Sequence, residues 1–158
     1  MSNEYKDWIT DLKDAPVGSI DNNRWLCMEY PFLIPHNEKE EINEDYDYSY
    51  TILDELPSGW RELVLQMCEE IKEVLIEKYP DLLTKYYVVQ AKEKYGTLRW
   101  YANIYTEELE EIAIKYAVLS QYVCIRCGKA TTIVSKDIKF LCNKCYERMT
   151  KIDKSGIL

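Results

Sequence analysis

Cys124-x-x-Cys127 and Cys142-x-x-Cys145, with fourteen residues between the pairs, carry the most specific chemistry in this chain. A Cys-x-x-Cys loop can bend so that both sulfurs lie about 2.3 Å from one ion, and two such loops complete a tetrahedral zinc shell. Gly128 follows the first pair, where a tight knuckle needs a residue free of Cβ clashes. Thr131 to Val134 and Ile138 to Leu141 then read as two short strands around the polar turn Ser135-Lys136-Asp137, and Tyr146 to Ile152 reads as a helix. Knuckle, hairpin and a cysteine pair at a helix start define a treble-clef or zinc-ribbon-like module. The competing chemistry is a pair of redox-active dithiols, but no strand-then-helix thioredoxin pattern surrounds either pair. Four thiolates leave zinc no open position for water or substrate, so the expectation is one structural zinc.

Catalysis finds little else to build on. The single histidine, His36, sits in Pro35-His36-Asn37, far from the cysteines, and reads as a loop residue. A nuclease built on a treble clef needs more than one histidine. There is no Gly-rich phosphate loop and no Ser-His-Asp or Cys-His constellation, so the chain reads as a non-enzyme.

Two groups of residues suit binding instead. If Tyr86 to Lys94 and Thr97 to Tyr105 pair across Tyr95-Gly96, one face presents Gln90, Lys92, Lys94, Arg99 and Tyr101, with Lys92 directly opposite Arg99. Like charges in that position weaken a strand pair, so the pattern suggests that something acidic lies against it: the chain's own acidic segment, an acidic partner protein or a nucleic-acid backbone. Solvated charges blunting a sheet edge are the plainer reading. The second group is Tyr46-Asp47-Tyr48-Ser49-Tyr50, where tyrosines alternate with polar and acidic residues in a run from Glu38 to Tyr50. Such a run is either a solvated loop or an interaction surface.

The positioning elements are set by periodicity. Ser58 is expected to cap a helix from about Gly59 to Tyr79, with Trp60, Leu63, Val64, Met67, Cys68, Ile71, Leu75 and Ile76 on one face and Pro80 past its end. The hairpin's other face, Tyr87, Val89, Ala91, Leu98, Trp100, Ala102 and Ile104, is expected in the core. A helix from about Glu107 to Tyr122, capped by Thr106 and turning Leu109, Ile112, Ala113, Tyr116 and Leu119 inward, would cover it. Upstream, Trp25 to Pro35 is apolar and aromatic, and its two prolines favour an extended segment packed on the body over a helix.

The fold class is therefore α+β: two helices on an antiparallel hairpin, an extended acidic, tyrosine-rich N-terminal arm (1–56), a helix-hairpin-helix body (57–121) and a zinc module (122–158). At 158 residues the chain can bury a core. Its net charge of −8 is uneven: residues 1–56 hold 14 acidic against 4 basic side chains, whereas the region from 122 onward holds 8 basic against 3 acidic. No apolar run is long enough to span a bilayer and no signal peptide is apparent, so a cytosolic setting with reduced thiols is expected, Cys27 and Cys68 being buried free thiols.

The strings Trp25 to Pro35, Asp45 to Thr51, Pro57-Ser58-Gly59-Trp60-Arg61 and Val89 to Tyr101, together with the paired Cys-x-x-Cys, resemble a group of small uncharacterised proteins of phages and prophages of Gram-positive bacteria. The resemblance runs from about Arg24 to Cys145. It implies an accessory protein that binds and disables a host machine or defence complex. Two functions are thus expected to compete: a protein-binding modulator using the acidic arm, and a nucleic-acid-binding accessory protein using the zinc module and the Lys92, Lys94, Arg99 and Tyr101 face. Overall acidity disfavours the second, because nucleic-acid affinity draws on phosphates neutralised by Lys and Arg.

Overall fold

The computed structural model describes residues 12–131, 133–134 and 140–148. The expected Ser135-Lys136-Asp137 turn and the end of the last helix beyond Arg148 lie outside these.

Ser19 opens helix α1, Ile20–Glu29, its hydroxyl accepting the Asn22 N–H at 3.2 Å. The expectation of an extended segment from Trp25 is corrected here: Trp25 to Glu29 is helical. Pro31 restricts its own backbone and that of Tyr30, the residue at which the helix ends. It then starts a separate 3-10 turn, Pro31–Leu33, where a missing N–H costs nothing. Leu26, Tyr30, Phe32 and Leu33, with Leu53 from the 3-10 turn Ile52–Glu55, join the same apolar core as the later helices. The core therefore draws on residues from both sides of position 56.

Helix α2, Arg61–Lys78, comes after a 3-10 turn over Ser58–Trp60. Trp60, Val64, Met67, Cys68, Ile71 and Leu75 are buried on one face as the 3.6-residue period requires, but Ile76 is 51% exposed. Ser58 is not the cap of this helix: its hydroxyl donates to Arg126 O at 3.3 Å. Lys78 ends the helix before Pro80.

Strands β1, Val88–Lys94, and β2, Thr97–Ala102, form a two-stranded antiparallel sheet. Tyr95 and Gly96 carry φ of 54° and 79°, the paired positive values of a type I′ turn, whose twist matches the flanking strands. Lys92 pairs with Arg99 as the two-residue turn requires. Beyond Gln90 the register shifts, leaving Val89 as an extra residue on β1. This bulge reverses the alternation: Val88 and Ala91 are buried, while Val89 is 56% exposed, correcting its expected place in the core. Tyr87 is only half-buried, packed against the core, and its ring stacks on His36 with centres 3.7 Å apart.

Helix α3, Glu107–Ser120, starts at Thr106, whose hydroxyl accepts the Leu109 N–H at 3.2 Å. It packs on α2 and across β2. Leu109, Ile112 and Tyr116 point inward, but the last inward position belongs to Ser120, with Leu119 42% exposed. Ser120 Oγ accepts the buried Leu98 N–H at 2.9 Å, an amide that would otherwise lack a partner. The architecture is thus α+β, with helices packed on an antiparallel hairpin and a cysteine cluster near the C-terminus.

Candidate metal centre and basic hairpin face

The first cysteine pair sits in a knuckle closed by backbone bonds. Cys124 N–H donates to Lys129 O at 2.7 Å and Gly128 N–H returns to Cys124 O at 3.0 Å. Gly128 holds φ +82°, which glycine adopts without strain. The second pair opens a helix at residues 143–148, earlier than the expected start at Tyr146, with Tyr146 N–H bonded to Cys142 O at 2.9 Å. Between the pairs, β3, Ile133–Val134, pairs antiparallel with β4, Phe140–Leu141.

This local structure brings the Sγ atoms of Cys124, Cys127, Cys142 and Cys145 within 4.8 Å of one another. Four thiolates about 2.3 Å from a tetrahedral ion are about 3.8 Å apart, so the cluster has the dimensions of a single-metal site. Cys124, Cys142 and Cys145 are buried and Cys127 is exposed. Burial opposes ionisation of Cys124, yet the backbone N–H groups of Cys127, Cys142 and Arg126 outweigh it and bring the thiol down to about 6. The Cys145 N–H likewise lowers the Cys142 thiol. Burial pushes Cys145 up to about 12, so one of the four keeps its proton most tightly. Elsewhere burial raises the thiol of Cys27 to about 11 and also that of Cys68; both are buried free cysteines remote from this site.

The knuckle rests on the turn that precedes α2. Gly59 N–H donates to Ile125 O at 2.9 Å, and Trp60 Nε1 donates to Val123 O at 3.4 Å. Contact is backbone to backbone: a Cβ on Gly59 would lie 2.1 Å from Cys124 O, and one on Gly128 would lie 2.9 Å from Gly59 O. Gly59 is the site residue that sequence reasoning passed over. Its place in Pro57-Ser58-Gly59-Trp60, at a helix entrance where glycine is a poor former, was the available signal.

On the hairpin, Lys94, Arg99 and Tyr101 are exposed and Lys92 is half-buried, its Nζ 5.9 Å from the Tyr101 ring centre. The three ion pairs among the described residues, Lys72–Glu29, Lys78–Glu108 and Lys115–Glu70, leave this face untouched. The tyrosine-rich segment forms its own small cluster. Tyr46 contacts Tyr48 and Tyr50 edge-on at 4.9 and 5.8 Å, and its hydroxyl donates to Tyr50 O. Asn23 of α1 ties it down by donating to Tyr48 O at 2.9 Å. Tyr46 and Tyr48 are half-buried; Asp47 and Tyr50 face solvent.

No protein-family model, curated protein or solved structure matches the chain.

Proposed function

We propose that the protein is a non-catalytic accessory protein of a phage or prophage that acts in the host cytosol by binding and modulating or inhibiting a host protein complex, defence complexes included. The observation that carries this reading is the outer hairpin face of Lys92, Lys94, Arg99 and Tyr101, where a like-charged pair is held directly opposed and takes no counter-ion among the described residues. Like charges held directly opposite weaken the strand pairing, and an acidic partner would relieve them. Asp47 and Tyr50, exposed beside the tyrosine cluster, supply a second contact region of opposite charge. The resemblance to phage-borne proteins supports the same class.

The metal in this reading is zinc, one per chain, bound by Cys124, Cys127, Cys142 and Cys145 in a treble-clef-like module. Its role is structural, because four thiolates close the coordination shell. Affinity purification of the tagged protein from infected cells, with and without nuclease, tests the function. A protein partner retained after nuclease and lost on combined Lys92→Glu and Arg99→Glu substitution is the expected result. The same cationic, tyrosine-bearing face supports a second reading, nucleic-acid binding; a complex that vanishes with nuclease would put it first.

A further inference from the structure

β2 has an edge to spare. Among the described residues it pairs only with β1, and Asn103 N–H bonds Tyr87 O at 3.1 Å, so the odd-numbered amides of this strand face β1. The even-numbered groups point the other way. Ser120 Oγ takes the Leu98 N–H, and the amides of Trp100 and Ala102 come next along an edge that no strand occupies among the described residues. This edge opens onto a cleft of about 340 Å³ between β2 and α3, with Ile104, Ala113, Ile114 and Ala117 in its lining. Ile114 is 58% exposed there.

We infer that this edge receives an extended, acidic segment of the partner protein as a third strand, with carboxylates and apolar residues alternating along it. The inference rests on the reading of the hairpin face as the partner site and names what that site takes. An added strand sends successive side chains to opposite faces. One set would stand beside Arg99 and Tyr101, with Lys92 one strand further on, where carboxylates are favoured. The other set would enter the cleft, whose lining is mostly apolar and aromatic, with Glu110 and Arg99 its charged residues, and where a carboxylate would meet Glu110. A second copy pairing through the same edge would bring two basic faces side by side, so self-association is disfavoured. The chain's own acidic run does not have the required shape, since Glu40 and Tyr48 hold φ of 64° and 63° and interrupt any strand.

The test uses the full-length, metal-loaded protein and two fluorescent peptides of about eight residues, long enough for an ordinary strand. One alternates Glu and Val; the other has the same composition in blocks. Anisotropy is expected to show the alternating peptide binding at least about tenfold tighter, with Arg99→Glu and Ile114→Lys each weakening it by a similar factor, equivalent to about 1.4 kcal/mol. Hydrogen exchange is expected to show new protection at the Trp100 and Ala102 amides. Equal binding of both peptides, no binding of either, or unprotected amides in the complex would overturn strand addition. If strand addition fails while Lys92→Glu with Arg99→Glu still abolishes capture of a nuclease-resistant partner, the inference falls and the proposed function stands. Displacement of the peptide by single-stranded DNA at physiological salt would remove both.

Discussion

Gly59 joins two parts of the chain that are far apart in sequence, through a contact with no room for a side chain. A methyl group 2.1 Å from Cys124 O cannot be accommodated by rotating a side chain, because the obstacle is backbone. Gly59→Ala is therefore expected to destabilise the protein by about 2 kcal/mol or more, against a gain of about 1 kcal/mol at most from helix propensity alone. Thermal unfolding of the variant measures the balance, and an unchanged midpoint would refute the docking. The cysteines make a second prediction. Metal binding must displace the remaining thiol protons, and burial holds that of Cys145 up to about 12 while Cys124, at about 6, is largely ionised at neutral pH. Binding should therefore release protons at neutral pH, and affinity should fall as pH drops through about 6, where Cys124 also takes up its proton. Titration in weakly buffered indicator solution reads the release directly.

The helix and hairpin show how one polar atom can set a register. Sequence period alone made Leu119 an inward residue of α3, yet Ser120 occupies the buried position because the Leu98 amide needs an acceptor. Ser120→Ala is expected to cost about 1 to 3 kcal/mol by stranding that amide, whereas Leu119→Ala, at a residue 42% exposed, is expected to stay within about 0.5 kcal/mol. Equilibrium denaturation of the two variants compares them, and the reverse order would restore the periodic reading. The hairpin was more legible. Tyr95-Gly96 between alternating runs specified the turn and the Lys92–Arg99 pairing, but nothing local announced the bulge at Val89.

Across the whole molecule the cysteine knuckle and the body share hydrogen bonds at Gly59, Ser58 and Trp60. A metal site that merely capped the C-terminus would leave the rest of the chain indifferent to its loss. Here the knuckle's carbonyls at Val123, Ile125 and Arg126 hold the entrance of α2, so chelation is expected to raise hydrogen exchange at Gly59 and the Trp60 indole and to lower the melting temperature of the whole chain. Loosening confined to residues after 122 would show an independent module. Charge works at the same range: the cations of the hairpin should make association with the proposed acidic segment slow as salt rises, which stopped-flow mixing at two salt concentrations measures.

Spacing and periodicity by themselves determined the four-cysteine cluster, the hairpin across Tyr95-Gly96, the long second helix and the α+β class, because each depends on neighbours within a few residues or on a motif whose geometry is local. They misread the segment from Trp25 to Glu29, because a proline at 31 restricts only itself and Tyr30 and leaves the helix before them intact. Tertiary structure alone decided the rest: that Gly59 lies under Cys124, that Ser120 rather than Leu119 turns inward, that Asn23 holds Tyr48, and that no strand among the described residues takes the outer edge of β2 beside α3. Each of these depends on which distant backbone groups meet, and hydrogen bonding and close packing across long sequence separations leave no period in the chain to read.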